Sequence, residues 1–235
     1  MIRREDVVVR PFGERALLIE TPPIIHPETH QWISDLNRWI HQQSLPGIIE
    51  TIPAYASLML LFEPHKMVHT TLQTIITDYL DKNEVEEWIP AAPTVEIPIC
   101  YDPEFALDQQ ILIEHTGLDW PAIIAIHSQH TYKIYQLGFL PGFPFLGELD
   151  PRIHCPRKAT PALHVPKGSV GIGGQQTGIY SLKSPGGWNI IGRCPIELFR
   201  PEHERPFFLE QGMNISFKPI EMSEFLELQN SFHDR

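Results

Sequence analysis

The sequence lacks the positive charge that nucleic-acid-binding proteins need. Its 235 residues include 18 lysines and arginines against 29 aspartates and glutamates, a formal net charge of -11, and the basic residues do not cluster. Proteins that bind phosphate backbones concentrate basic residues on one face, so we expect no nucleic-acid partner. An acidic surface instead suits a small-molecule enzyme, or a protein that binds a basic or neutral face of another protein.

Long hydrophobic runs and paired cysteines are also missing. The longest apolar run, residues 58–62, is far too short to cross a bilayer, and no apolar segment of a signal peptide follows the first arginines. The cysteines are only three, Cys100, Cys155 and Cys194, with no CxxC pair, which excludes the usual zinc and redox signatures. We therefore expect free thiols, no membrane contact, no signal peptide and a cytoplasmic location.

The first part of the chain alternates strand-like and helix-like segments. Short β-like runs lie at residues 7–9, 16–19, 48–52 and 58–62. Apolar residues recur at helical spacing in two stretches, which begin near Trp32 and near Val68. This β-β-α-β-β-α order predicts a small α+β layer with both helices on one face of an antiparallel sheet. Periodicity is lost across residues 83–93, so we predict two domains, residues 1–92 and 93–235.

The second part of the chain changes character along its length. It begins with a strand-like run at residues 95–101 and helical stretches at 108–115 and 119–128. After residue 130, glycine and proline become dense and the strand-like runs are short. That composition is typical of a closed or sandwich-like β structure with functional loops. Helical spacing returns only near residues 223–229.

Residues 137–199 form the block that carries the chemistry. The block opens with LGFLPGFPFLG, where glycine permits unusual backbone angles and proline restricts them. We predict a rigid loop with aromatic walls for a small flat ligand or an apolar side chain of a partner, with a well-packed surface loop as the alternative. Further along, arginines, amides, hydroxyls and backbone N–H groups could hold a carboxylate, a lactam or another anion.

Several familiar motifs are absent from the sequence. Lys167 precedes Gly168 and Ser169, the reverse of the Gly-Lys-Ser/Thr order of a phosphate-binding loop. Gln176 occupies the third glycine position of a dinucleotide fingerprint, and no Gly-x-Ser-x-Gly elbow occurs. The histidine pairs at i, i+4 spacing lack the glutamate of a His-Glu-x-x-His site, so we expect no bound metal. His127 could be an acid–base group or a structural histidine.

Taken in order, these motifs resemble the family of 5-oxoprolinase B subunits, also called kinase-inhibitor-like or allophanate hydrolase subunit 1-like. The matching stretches are residues 13–17, 53–58, 135–147, 165–170, 176–180, 184–188 and 192–193. The family also includes the inhibitor of a sporulation histidine kinase and subdomains C and D of the carboxyltransferase domain in urea carboxylase. The resemblance implies an N-terminal α+β sandwich domain followed by a cyclophilin-like β-barrel domain.

The resemblance also implies an activity. The chain would be the B subunit of an ATP-dependent 5-oxoprolinase, a cyclic-amide hydrolase that opens 5-oxoproline (pyroglutamate) to L-glutamate together with subunits A and C. It would be inactive alone, and Mg-ATP would be bound by the assembled complex, with no metal held by this chain. Two alternatives remain: a regulatory module that inhibits a sensor histidine kinase, and a carboxyltransferase fragment that acts on carboxybiotin.

Site residues follow from the matched motifs. The expected catalytic residues are His127 for proton transfer and Arg157 or Arg193 for a substrate carboxylate, while Gln176 and Tyr180 would position the lactam. The expected substrate-binding residues are Gly138, Phe139, Pro141, Gly142, Phe145, Pro166, Gly168, Ser169, Gln176, Thr177, Tyr180, Gly187 and Trp188.

Several positions depart from the family pattern, and Pro144-Phe145 is a mild variant within its loop. Ala162 stands where the family carries an arginine, Lys167 replaces a small residue, and Cys194 replaces a threonine. If the missing arginine contacts substrate, Lys167 would supply the positive charge as a less directional donor. The ligand preference could equally have drifted.

Overall fold

The structure, a computed structural model, describes residues 2–24, 26–82 and 94–233. It forms two compact units, Met1–Ala91 and Ala92–Arg235. The domain boundary predicted between residues 92 and 93 lies outside the described residues. None of the helices in the described ranges is long and apolar enough to cross a bilayer.

The N-terminal unit is an antiparallel sheet with two helices. Its elements are β1 (Val8–Pro11), β2 (Ala16–Glu20), α1 (Pro27–Gln43), β3 (Ile48–Pro53), β4 (Ser57–Phe62) and α2 (His69–Lys82). The strands pair in the order β1-β2-β4-β3. Helix α1 begins where His26 Nδ1 accepts the Glu28 N–H (3.3 Å) and ends at Ser44, which adopts a left-handed conformation (φ 47°). The predicted β-β-α-β-β-α order is confirmed.

Both helices cover the same face of this sheet. Along β4 the buried residues Leu58, Leu60 and Phe62 alternate with half-buried ones, as period-2 geometry requires when one face is packed. The predicted apolar stripes of α1 and α2 supply the other half of this core, including Leu36 and Ile76, both fully buried. The α+β layer expected from the sequence is therefore present.

The C-terminal unit contains a closed β-barrel. Its strands are β5 (Thr94–Cys100), β6 (Thr131–Leu137), β7 (Pro144–Leu146), β8 (Ala162–Val165), β9 (Ser169–Gly173), β10 (Gln176–Ile179), β11 (Ser184–Gly186), β12 (Asn189–Arg193) and β13 (Asn214–Ile220). Seven strands close the barrel in the order β10-β7-β6-β13-β5-β12-β9, with β5 and β13 parallel. Strands β8 and β11 form a separate two-stranded sheet. The closed β structure predicted after residue 130 is confirmed.

Three helices accompany the barrel. They are α3 (Gln109–Thr116), α4 (Trp120–Gln129) and α5 (Met222–His233). Asp119 caps α4 by accepting the Ala122 N–H at 2.9 Å. Phe225 of α5 is buried against Phe105, with ring centroids 4.5 Å apart. The helical spacing near residues 223–229 thus marks a real helix that packs beside the end of β5.

Candidate functional site

Three glycines on the outer surface of the barrel allow aromatic rings to lie directly on its strands. Along β9, Val170 and Ile172 belong to the barrel core, so Gly171 and Gly173, which alternate with them, face outward. A Cβ added to Gly173 would lie 2.6 Å from Nε1 of Trp188, and one added to Gly178 would lie 3.0 Å from the Phe143 ring. These contacts explain why part of the glycine-rich block must be glycine.

The rings on this surface pack against one another. Phe143, Tyr180 and Trp188 are each at most 5% exposed and form a second hydrophobic cluster with Val165 and Ile190. Their edge-to-face geometry, at 5.2 Å for Phe143–Tyr180 and 5.4 Å for Phe143–Trp188, is favourable for aromatic pairs. Of the predicted aromatic walls, Phe143 is therefore part of a satellite core. Tyr180 and Trp188, expected to bind substrate, belong to the same core and present almost no surface to a ligand.

Phe139 is the exception within the LGFLPGFPFLG loop. Its side chain is 63% exposed and its backbone is left-handed (φ 68°), a conformation that is strained for a bulky residue. The ring stands edge-on to Phe143 (5.6 Å) and Tyr180 (6.4 Å). The loop around it is closed by the Gly138 N–H donating to the Phe143 carbonyl (3.1 Å). A constrained loop thus holds one aromatic ring out toward solvent.

The other predicted residues of this loop have distinct positions. Pro141 is exposed and Phe145 is half-buried, with its ring 5.8 Å from that of Trp188. Gly142 is buried and left-handed (φ 75°), and an added Cβ would lie 3.2 Å from the Leu198 carbonyl oxygen. Gly142 is therefore a packing requirement, whereas Pro141 lies at the surface.

A row of three predicted site residues crosses neighbouring strands on the outer surface. The Tyr180 N–H donates to the Ser169 carbonyl (2.8 Å), and Ser169 is paired with Arg193 in the β9–β12 register. Side chains of directly opposed residues lie on the same side of a sheet. Tyr180, Ser169 and Arg193, separated by up to 24 positions in sequence, therefore lie side by side.

Arg193 in this row carries a charge without a counter-ion. Its guanidinium lies 4.4 Å from the centroid of the Phe105 ring, and its Nε is buried without a hydrogen-bond partner. Burial lowers the pKa of Arg193, partly offset by the charge of Glu104, but no described carboxylate forms an ion pair with it. The buried Ser169 hydroxyl also has no partner. A half-buried cation without an ion-pair partner among the described residues is suited to binding an anion.

Arg157 occupies a different part of the same surface. Its exposed guanidinium lies over the Trp188 ring at 5.7 Å, a cation–π contact. Burial raises the pKa of the Tyr180 phenol, while the Trp188 backbone N–H and the charge of Arg157 act in the opposite direction. Arg157 is therefore near the Tyr180 hydroxyl as well as Trp188. Gly187, which is half-buried, is adjacent to this group.

His127 has a structural position inside the barrel. The Thr177 hydroxyl donates to the Gly171 carbonyl (3.0 Å), so it accepts from His127 Nε2 (2.8 Å), while Nδ1 accepts from the Tyr101 hydroxyl (2.7 Å). His127 and Thr177 are both fully buried. Burial lowers the pKa of His127 to about 3. Because both ring nitrogens of His127 already form hydrogen bonds, the structural alternative is favoured over proton transfer. Thr177 is fully buried and bonded, so its side chain cannot contact a substrate.

Two backbone amides at the turn before β9 are already used within the fold. The Gly168 N–H donates to the Tyr180 carbonyl (2.7 Å), and the Ser169 N–H donates to the Pro166 carbonyl (3.2 Å). Lys167 forms an ion pair with Glu197, so its charge is already neutralised. This pairing makes Lys167 a weaker candidate than an unpaired arginine for holding a substrate carboxylate.

Gln176, another predicted substrate-binding residue, lies at one end of the outer surface. Gln176 is opposite Gly173 in the β9–β10 register and is 8% exposed, so it lies at the end of the outer surface away from Arg193. No group of three or more His, Cys, Asp or Glu side chains in the described ranges could hold a metal ion.

Sequence reasoning missed an ion pair between Asp108 and Lys158. Asp108 Oδ2 lies 2.6 Å from Lys158 Nζ, with side-chain exposures of 9% and 22%. The same oxygen accepts the Ile190 N–H at 2.7 Å. The local sequence predicts only that a helix starts near Asp108, and 50 positions separate this residue from Lys158. No local sequence pattern could indicate this pair.

Comparisons with known proteins agree with the family resemblance of the sequence motifs. The family model described as carboxyltransferase domain, subdomain C and D, matches residues 7–209. The 5-oxoprolinase B subunit of Bacillus subtilis (strain 168) is 35% identical over 226 residues, covering 92% of this chain and 94% of that protein.

Solved structures show the same fold. TTHA0988 shares 32% identity with a TM-score of 0.76, over 91% of this chain but only 40% of that longer chain. Kluyveromyces lactis urea carboxylase is 20% identical, with a TM-score of 0.82, and the match covers 96% of this chain and 23% of that longer chain. At this identity the likeness shows a shared fold only. With the nearly full-length match to the Bacillus protein, the chain belongs to the family of 5-oxoprolinase B subunits, within the carboxyltransferase-domain proteins of subdomain C and D type.

Proposed function

We propose that this chain is the B subunit of an ATP-dependent 5-oxoprolinase and acts together with subunits A and C in the cytoplasm. Relatives that it matches along nearly their whole length are named as B subunits of 5-oxoprolinase. The observation in the structure that best supports a role in binding an acidic lactam is Arg193. This cation has no ion-pair partner among the described residues, and it is opposite Ser169, whose hydroxyl is unpaired, in the β9–β12 register.

In this proposal Arg193 holds the carboxylate of 5-oxoproline. A guanidinium favours a carboxylate through paired, charged hydrogen bonds, and a partly buried site strengthens them. Lys167 is a poorer candidate because Glu197 already neutralises it. The exposed ring of Phe139 beside Tyr180 offers an apolar surface close to the row. The contribution of this chain is thus to bind and orient the lactam.

ATP would be bound by the assembled complex and would supply the phosphoryl group that makes the lactam carbonyl open to attack by water. Two features of this chain support a nucleotide site elsewhere in the complex. The amides of Gly168 and Ser169 are used within the barrel, and Lys167 is paired. A chain that binds substrate but lacks a nucleotide site would be inactive alone.

The test is coexpression of this chain with candidate subunits A and C, followed by measurement of 5-oxoproline-dependent ATP hydrolysis and glutamate release. In the assembled complex, Arg193→Ala should raise the KM for 5-oxoproline roughly 10- to 150-fold, because a hydrogen bond to a charged group contributes about 1.5–3 kcal/mol. Arg193→Lys should lose less. Arg152→Ala is the matched control, since Arg152 is exposed and paired with Asp150 at 2.7 Å.

Three results would count against the proposal. An assembled wild-type complex without turnover would refute the assigned activity. Loss of the folded barrel in Arg193→Ala, seen by circular dichroism, would show that this arginine is structural. Stoichiometric inhibition of a sensor kinase by the isolated chain would support the regulatory alternative instead.

A further inference from the structure

We propose that Asp108 and Lys158 are positioning residues, which hold Arg157 against Trp188 so that its guanidinium donates to the lactam carbonyl oxygen of 5-oxoproline, whose carboxylate Arg193 holds. This inference rests on the proposed function, because it assigns a second substrate contact on the same surface. Neither residue belongs to the motifs that define the block, and neither would touch the substrate. Their proposed role is to fix the segment on which Arg157 lies.

Asp108 ties the segment before α3 to strand β12. Its backbone N–H donates to the Ile190 carbonyl (2.9 Å), and its Oδ2 accepts the Ile190 N–H (2.7 Å). The same oxygen accepts from Lys158 Nζ at 2.6 Å. One carboxylate therefore joins three separate parts of the chain, and it does so at a largely buried position where charged hydrogen bonds are strong.

The segment around Arg157 is bound to the segment around Trp188 at three points. The Lys158 N–H donates to the Gly187 carbonyl (2.7 Å). Asn189 Nδ2 donates to the Pro156 carbonyl (2.8 Å). The third connection is the Lys158–Asp108–Ile190 chain. Arg157 lies between the two residues that make these contacts, so its backbone is fixed on both sides.

Because its backbone is fixed on both sides, the exposed side chain of Arg157 has a defined location. A long cation at the surface normally samples many rotamers, and ordering it costs conformational entropy. Here the fixed backbone and the Trp188 ring, 5.7 Å from the guanidinium carbon, restrict that freedom before a ligand binds. Among the side chains bonded to this segment, the Lys158–Asp108 pair alone is charged, so it is the contact whose removal should matter most.

The first test follows Arg157 in the isolated full-length chain by NMR. The Hε proton of Arg157, assigned by its disappearance in Arg157→Lys, should show a ring-current shift from Trp188. Lys158→Met should reduce this shift, and Lys158→Arg should restore it, because Arg can still pair with Asp108. Lys218→Met is the matched control, since it removes an exposed pair with Glu224 (3.1 Å) elsewhere in the same unit. An unchanged Hε shift in Lys158→Met would overturn the proposal.

The second test uses the assembled complex. Lys158→Met and Asp108→Asn should each raise the KM for 5-oxoproline about tenfold with little change in kcat, as expected when a binding group is misplaced. Lys158→Arg should recover most of the affinity. If Asp108→Asn does not fold, Lys158→Met carries the test, because Asp108 keeps its bonds to Ile190. A higher KM for ATP alone, or an unchanged KM for 5-oxoproline, would refute the role at this substrate.

These two tests separate the inference from the proposed function. A complex without turnover, combined with the expected loss and recovery of the Hε shift, would reject the activity but keep the positioning of Arg157. Normal turnover with an unchanged Hε shift would keep the activity and reject the positioning role.

Discussion

The burial of a neutral His127 should make the barrel less stable at mildly acidic pH, because only the unfolded chain can then protonate this ring. This histidine is fully buried, and it bridges the hydroxyls of Tyr101 and Thr177 in its neutral form. Burial, with a smaller effect of the charge of His130, lowers its pKa from 6.5 to about 3. Because the unfolded chain then binds a proton at a higher pH than the folded chain, stability should fall as pH decreases through 6.5 toward about 3.

The size of this effect follows from the difference between the two pKa values. The linkage relation gives a loss of about 2 kcal/mol between about pH 8 and about pH 5, most of it below the unfolded-state value. Above pH 6.5 both states carry a neutral ring, so the contribution of His127 is then fully present. A loss of this size is a large part of the net stability of an ordinary domain.

The assay is urea denaturation of the full chain across this pH range, for the wild type and for His127→Gln. A glutamine amide can donate to Thr177 and accept from Tyr101 but does not titrate. The variant should therefore lose about 2 kcal/mol less than the wild type between the two pH values, whatever its stability at neutral pH. Effects of other groups and of the N-terminal unit cancel in this comparison. Parallel losses in the two proteins would refute the buried, neutral state.

Two further predictions test the packing of the C-terminal unit. Gly173→Ala should displace the Trp188 indole, because the added Cβ would lie 2.6 Å from Nε1, and should cost about 1–3 kcal/mol with a change in near-ultraviolet circular dichroism. Gly187→Ala, whose Cβ would lie 3.7 Å from its nearest neighbour, is the control, and equal effects would contradict the reasoning. Cys100, Cys155 and Cys194 are buried, and burial raises the pKa of Cys194 to about 12, so none should react with a thiol reagent at about pH 8 before unfolding. Labelling of the native protein would show that a thiol is accessible.

Local sequence patterns determined much of the architecture. Apolar residues at helical spacing predict α1 and α2, because a helix on a sheet must bury one stripe whatever the rest of the fold. Alternation predicts β4 for a similar reason. Glycine and proline density predicts short strands after residue 130, and the ordered motifs of residues 137–199 predict the family.

Only the tertiary structure decided which of those motif residues can reach a ligand. Barrel closure sets the register that aligns Tyr180, Ser169 and Arg193, and register depends on contacts between distant strands. Closure also buries His127, and packing on the outer surface of the barrel buries Trp188. Both resemble site residues in the sequence, because histidine and tryptophan serve equally in cores and in sites.

The ion pair between Asp108 and Lys158 shows the same limit most clearly. Each residue is ordinary in its local sequence, and the pair exists because α3 and the segment before β8 both meet β12. The sequence by itself thus determined the elements, the family and the location of the block. The fold decided which of its arginines lacks a counter-ion and which is held in place, because charge pairing in a folded protein depends on distance in space.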